Sequence, residues 1–186
     1  MYRDTSLKLY LNDLAAKLPA PGGGSAAALT AALGQALASM VINFTIGKLK
    51  YAQFEKDLII ELEKSEKLRQ EFLDLVDRDV EAYNSKDPRK ALDIPVMVAR
   101  LCFEGAKILP ELVKKGNVNL ISDVAVAGQL LEAAFSAAVV NVEINLKMID
   151  DEKLGRELRK ELSEKSKSII RIRQETEVQV GKVIRG

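Results

Sequence analysis

With 186 residues, 47% of them hydrophobic, the chain has the length of one domain and enough apolar content for a substantial core. Lys and Arg number 28 against 27 Asp and Glu, so a net charge of +1 gives no overall pull towards nucleic acid or an anionic membrane. Histidine is absent, which excludes a Ser-His-Asp triad, a histidine-bound zinc and an imidazole base, and leaves carboxylates, lysines, hydroxyls, amides and water for any chemistry. Cys102, the single cysteine, allows no intrachain disulfide and fits a reducing compartment, and "MYRDTSLKLYLNDL" has no apolar signal-peptide core. The expected location is cytoplasmic.

The periodicity is helical nearly throughout, with no secure strand, and predicts an all-α, single-domain bundle over residues 1–186 with long antiparallel helices. Leu7, Leu11, Leu14 and Leu18 mark one face of a first helix, closed by Pro19 and Pro21. A second helix begins in the glycine loop "PAPGGGSAAAL" and runs towards Gly47. The third spans about Gln53 to Asn84, with Leu58, Leu62, Leu68, Phe72, Val76 and Tyr83 facing inward. Pro88 and Pro95 break the chain. A fourth helix follows, kinked at Pro110 and ending at "KKGN", where Gly116 takes a left-handed cap. Ser122 caps a fifth helix that runs to Met148. The last starts near Asp150 and carries Leu154, Leu158, Leu162, Ile169, Ile172, Val180 and Val183 among alternating charges.

The second and fifth helices are rich in alanine and glycine. No charge occurs between Leu18 and Gly47, or between Ala133 and Val142. Gln35, Ser39 and Asn43 interrupt the first run, and small side chains contribute little transfer energy, so central bundle helices are expected rather than membrane spans.

The loop Gly22, Gly23, Gly24, Ser25 formally matches part of a dinucleotide fingerprint, but a helix precedes it and no acid follows before Glu55. No lysine follows Gly24 as a P-loop would require. Two readings stay open: N–H groups at a helix start that seat a carboxylate or phosphate, or a tight turn capped by Ser25. Asp79 shares a face with Phe72, Val76 and Tyr83, which points a carboxylate inward, to be paired in a structural ion pair, hydrogen-bonded, protonated or lining a wet pocket. "GNVNLISD" gathers Asn117, Asn119, Ser122 and Asp123 in one turn, and Asn141 and Asn145 stand one turn apart on an apolar helix. Asp123 and Asn141 are eighteen residues apart, about 27 Å along a helix, and cannot touch one small substrate within a single subunit. Antiparallel packing of the second and fifth helices would bring Asp123 near Asn43 and Lys48, and Ser25 near Asn141 and Asn145. A parallel arrangement or a dimer would pair them otherwise.

The run of "PAPGGGSAAAL", "MVINFTIGK", "DVEAY", "GNVNLISD" and "NVEINL", in this order, resembles the formiminotetrahydrofolate cyclodeaminase and methenyltetrahydrofolate cyclohydrolase family over most of the chain. The resemblance implies an all-α homodimer acting on a tetrahydrofolate derivative as substrate, with no metal and no permanently bound cofactor, and assigns the glycine loop to the folate site. Substrate contacts are then expected from Gly22, Gly23, Gly24, Ser25, Asn117, Asn119, Ser122, Asn141 and Asn145. Asp123 and Asp79 are the candidate acid and base, and Lys48 would stabilise negative charge or bind the substrate's glutamate. A membrane or nucleic-acid partner is not expected. One departure is "NSKDPRK" between Tyr83 and Ala91, shorter than the family pattern, which bears on one wall of the pocket. A non-catalytic helical dimer, its polar residues holding register, is the alternative outside the enzyme class.

Overall fold

The computed structural model describes residues 1–186, and they form helices joined by short turns, with no strand. Seven α-helices follow in order: α1 (Leu7–Ala15), α2 (Gly23–Asn43), α3 (Glu55–Ser85), α4 (Pro88–Ala106), α5 (Leu109–Lys115), α6 (Ile121–Leu146) and α7 (Glu152–Arg185). α2, α3, α4 and α6 pack as a ring of four around a shared core, with α7 laid over α6 and α4.

Small side chains bring the inner helices together. Ala28, Ala31 and Ala38 of α2 and Ala127, Ala134 and Ala138 of α6 are fully buried. A Cβ on Gly34 would lie 3.1 Å from the Ala127 carbonyl oxygen, so the two backbones approach more closely there than larger residues allow. α2 and α6 run antiparallel: Gly23 lies beside Asn141, Gly34 beside Ala127, and Asn117 bonds to Phe44 and Thr45. Both helices are apolar and long enough to cross a bilayer, and in this fold each has its inner face against protein.

Several helix limits differ from the sequence reading for local reasons. Pro88 stands at the first turn of α4, where its missing N–H costs nothing, with Asp87 as the cap. Pro95 lies inside α4 without ending it, and Pro110 opens the separate helix α5 instead of kinking α4. Gly116 is extended at φ −80°, ψ 167°, not left-handed. Asn117 rather than Ser122 caps the turn before α6, its side chain accepting from the Asn119 N–H at 3.1 Å.

Two expected inward faces point outward. Leu7 and Leu11 of α1 are exposed, as is Leu18 beyond its end; Tyr10 is the residue of α1 that is buried. Tyr83 is 57% exposed because α3 turns its last-turn face towards a cleft and not into the core.

Candidate active site

The glycine loop meets α3 at one point. The Ser25 N–H, at the start of α2, donates to Asp79 Oδ2 at 2.8 Å. This bond uses one of the N–H groups that a helix start leaves without an internal partner, and it sets a carboxylate at the positive end of α2. The contact explains Gly24: a Cβ there would sit 2.7 Å from Asp79 Cγ. The glycine admits a side chain of its own protein. Gly22, by contrast, has open space where a side chain would stand.

Ser25 is not the cap of a turn, as one reading had it. α2 begins at Gly23 with Gly22 as N-cap, and the buried Ser25 hydroxyl donates to the Val76 carbonyl at 3.0 Å and lies 3.2 Å from the Tyr10 hydroxyl. Since Ser25 gives its proton to Val76, Tyr10 must donate to Ser25. Tyr10 was missed in sequence, although Leu7, Tyr10 and Leu14 carry the helical spacing that would have found it. Asp77, 5% exposed, was missed as well; it accepts the Tyr2 N–H at 2.6 Å and ties the N-terminal turn to α3. Tyr2 in turn stacks edge-on against Tyr10 at 5.4 Å.

Asp79 has no cationic partner among the ion pairs of the fold, which removes the structural ion-pair reading. Burial pushes its carboxyl above the ordinary carboxylate range, with the Ser25 N–H opposing. Beside it opens a cleft of about 130 Å³ lined by Gly22, Gly23, Tyr83, Ala91, Asn141 and Asn145. The tight connection between α3 and α4, Lys86 and Asp87, is what sets Tyr83 and Ala91 on one wall.

The two asparagines are oriented by the backbone. Asn145 Nδ2 donates to the Ala91 carbonyl at 2.6 Å, and Asn141 Nδ2 donates to the Ala137 carbonyl at 2.9 Å. A carbonyl only accepts, so one N–H of each amide is used this way, while the second N–H and the amide oxygen of each have no protein partner.

The remaining expected site residues lie at the opposite end of α2 and α6. Asn117 is buried and spends its groups on its own chain: its N–H on Thr45 Oγ1 at 2.9 Å, its amide nitrogen on the Phe44 carbonyl at 3.2 Å, and its amide oxygen on Asn119. It fastens the two helix ends together. Lys48, Asn119 and Ser122 are exposed and Asp123 is half-buried beside this joint. Within one chain the two groups are separated by about 27 Å of helix. The structure therefore joins Gly23, Asp79, Asn141 and Asn145, and leaves Asp123 and Lys48 apart from them. No three Asp, Glu or Cys side chains converge as a metal site.

Comparison with known proteins gives consistent matches. The family model described as Formiminotransferase-cyclodeaminase matches residues 6–86 and 86–164. A methenyltetrahydrofolate cyclohydrolase of Methylorubrum extorquens is 37% identical, covering 87% of this chain and 89% of the relative. A formimidoyltransferase-cyclodeaminase of Rattus norvegicus is 30% identical over 86% of this chain, which spans only 34% of the rat protein. The crystal structure of a formiminotetrahydrofolate cyclodeaminase from Thermotoga maritima superposes with a TM-score of 0.93 at 31% identity, over 99% of this chain and 100% of that one.

Two outcomes follow for the Gly24 and Asp79 contact. Gly24→Ala forces the carboxylate away from Ser25 and is expected to destabilise by about 1–3 kcal/mol in urea denaturation, whereas Gly22→Ser, with free space and a better cap, leaves the midpoint unchanged or raised. Because the Asp79 carboxyl titrates higher in the folded than in the unfolded chain, the folded state binds the extra proton, and its stability rises as pH falls from above the folded pKa to below the unfolded one. Asp79→Asn should abolish that slope and stay within about 1 kcal/mol of the parent at neutral pH. A loss the size of a broken buried ion pair, about 3–5 kcal/mol, would contradict the absence of a cationic partner.

Proposed function

The chain belongs to the formiminotransferase-cyclodeaminase family of folate one-carbon enzymes, and from that premise we propose that it acts in the cytoplasm as a formiminotetrahydrofolate cyclodeaminase, closing 5-formiminotetrahydrofolate to 5,10-methenyltetrahydrofolate with loss of ammonia. The observation that carries this reading is a single half-buried carboxyl, Asp79, with a raised pKa and no counter-cation, at the wall of an open cleft.

The reaction asks for one proton to be moved. N10 attacks the formiminium carbon, forming the N10–C bond and a tetrahedral centre that carries N5, N10 and an amino group. N10 then loses its proton, the amino nitrogen gains one, and the C–N bond to ammonia breaks as N5 re-forms the double bond. Starting from the protonated formimino group the balance is internal, because the proton lost by N10 is the one ammonia carries away. One carboxyl whose pKa is raised above the ordinary carboxylate range can take it and return it. Asp79 has that character, and the Ser25 N–H holds one of its oxygens while leaving the other open.

The cleft is small for a folate, since ligand sites commonly measure about 300–1,000 Å³. A second copy of the chain supplies the missing wall in this proposal. α2 and α6 turn an uncharged face outward, with Leu33, Val126, Val140 and Ile144 exposed. A two-fold axis lying in the plane of that face and perpendicular to the helices would lay one copy's Asp123 and Lys48 end beside the partner's Gly23 and Asp79 end. Such a dimer resolves the separation imposed within one chain, and gives Lys48 a place near the substrate's glutamate. The 37% identity to a methenyltetrahydrofolate cyclohydrolase favours a second reading, in which water adds to the same carbon and the same carboxyl takes its proton.

Purified protein given 5-formiminotetrahydrofolate is expected to release ammonia while the methenyl absorbance rises, and Asp79→Asn should lower that rate by about 10²–10⁴-fold with little change in melting. Conversion of 5,10-methenyltetrahydrofolate alone would select the cyclohydrolase reading, and no turnover of either would favour the non-catalytic dimer. For the assembly, sedimentation of the parent at micromolar concentration should give a dimer, and Val140→Glu, at a position 69% exposed in the single chain, should give a folded monomer with impaired turnover.

A further inference from the structure

The start of α2 has little of its own to hold it. Gly22 stands at the cap position with no side-chain bond, and Gly23 and Gly24 follow, so the first turn is free to fray unless something outside the helix fixes it. Ser25 is the first residue of α2 with a side chain, and it is fully buried. Its N–H goes to Asp79 Oδ2 at 2.8 Å and its hydroxyl donates to the Val76 carbonyl at 3.0 Å, two acceptors one turn apart on α3. The same hydroxyl then accepts the phenol proton of Tyr10 at 3.2 Å.

Tyr10 is itself held in place. It is the buried residue of α1, whereas Leu7, Leu9 and Leu11 face outward. Tyr2 packs edge-on against its ring, donates its own hydroxyl to Asp13 of α1 at 2.9 Å, and gives its N–H to Asp77 of α3. Burial pushes the Tyr10 phenol above its ordinary range, the Ser25 bond opposing and Asp79 adding to the effect, so the group keeps the proton it donates. Around Asp79, α2, α4 and α6 present glycine, serine, alanine and asparagine; the titratable groups facing it are Tyr10 from α1 and Tyr83 from its own helix.

We propose that Tyr10 is a positioning residue for Asp79: by holding the Ser25 hydroxyl, it keeps the uncapped start of α2 against α3, where the Ser25 N–H meets the carboxyl. Tyr10 does not line the cleft and acts only through Ser25. The catalytic consequence rests on the cyclodeaminase reading, while the contact it maintains is independent of turnover. Without the phenol proton, the Ser25 hydroxyl loses one of its two partners in a buried setting, and the first turn of α2 loosens. The N–H that favours the charged carboxylate is then engaged for less of the time.

Tyr10→Phe, which keeps the ring and removes the donor, tests this by NMR of the isotopically labelled protein. Exchange of the Ser25 amide hydrogen should quicken by about 3–10-fold, and the titration of the Asp79 carboxyl carbon should move further up, because a loosened N–H stabilises the ionised form less. Single-turnover conversion of 5-formiminotetrahydrofolate should slow by about 3–10-fold, with its pH profile displaced in the same direction as the carboxyl. Ser25→Ala should act in the same direction, and the double variant should add nothing to it, since Tyr10 works through Ser25. A lower melting temperature in Tyr10→Phe with parental Ser25 exchange and Asp79 titration would overturn the proposal, as would additive effects in the double variant. If Tyr10→Phe does not fold, an unchanged Asp79 titration in Ser25→Ala overturns it equally. A displaced Asp79 titration in a protein that turns over neither folate would uphold the positioning role and remove the cyclodeaminase reading. Deamination that is unaltered in Tyr10→Phe would do the reverse.

Discussion

Everything at the candidate site depends on how closely α2 and α3 meet where Ser25 hands its N–H to Asp79. A helix start offers unpaired donors and partial positive charge, and an ionisable side chain half taken out of water needs both. The approach is possible because Gly24 has no side chain to occupy the space of the carboxylate. Tyr10 and Val76 hold the other end of Ser25 through its hydroxyl, so the donor cannot drift from its acceptor. The result is a carboxyl fixed in direction and raised in pKa, which is a different outcome from a carboxylate neutralised by an arginine.

The same economy of polar partners runs through the bundle. Gln35 donates to Ser65 at 2.7 Å, and Ser39 and Ser65 share a hydrogen bond of the same length, within an otherwise apolar core. The Gln35 amide oxygen turns towards Gly105, and a side chain at that position would collide with it. At the far end, Thr45 and Asn117 lock α2 to the turn before α6. Asn117, before α6, and Asn145, in its last turn, differ in use: the first bonds only to its own chain at the far joint, and the second lines the cleft.

Antiparallel packing of α2 and α6 has a further consequence for function. It collects the glycine loop, Asp79 and the asparagines at one end, and sends Lys48 and Asp123 to the other. A rigid helix separates these groups by a fixed rise per residue, so no side-chain rearrangement within one chain unites them.

The sequence by itself determined the class of the fold and the chemistry at hand. Helical period, proline and glycine punctuation and the lack of histidine are local properties, and they sufficed for an all-α bundle, for the order of its long helices, and for a choice of acids among carboxylates. It also singled out Asp79, since a charged residue on the face of Phe72 and Val76 has few options. What it could not determine was where each polar group is spent, because that depends on neighbours distant in the chain. Gly24 lies in a loop that reads equally as a ligand seat or a turn, and only the fold shows Asp79, fifty-five residues later, packed against it. Tyr83 followed the inward spacing and turned out to face a cleft, because α3 outlasts the core at its end. Leu7 and Leu11 carried an apolar period that tertiary packing left in solvent, while Tyr10 is the side chain of that helix that the bundle buries, against the Ser25 hydroxyl. Hydrophobic spacing reports which side of a helix can be buried; the identity of the neighbour, and with it the role of each carboxyl, hydroxyl and amide, is decided only when the helices meet.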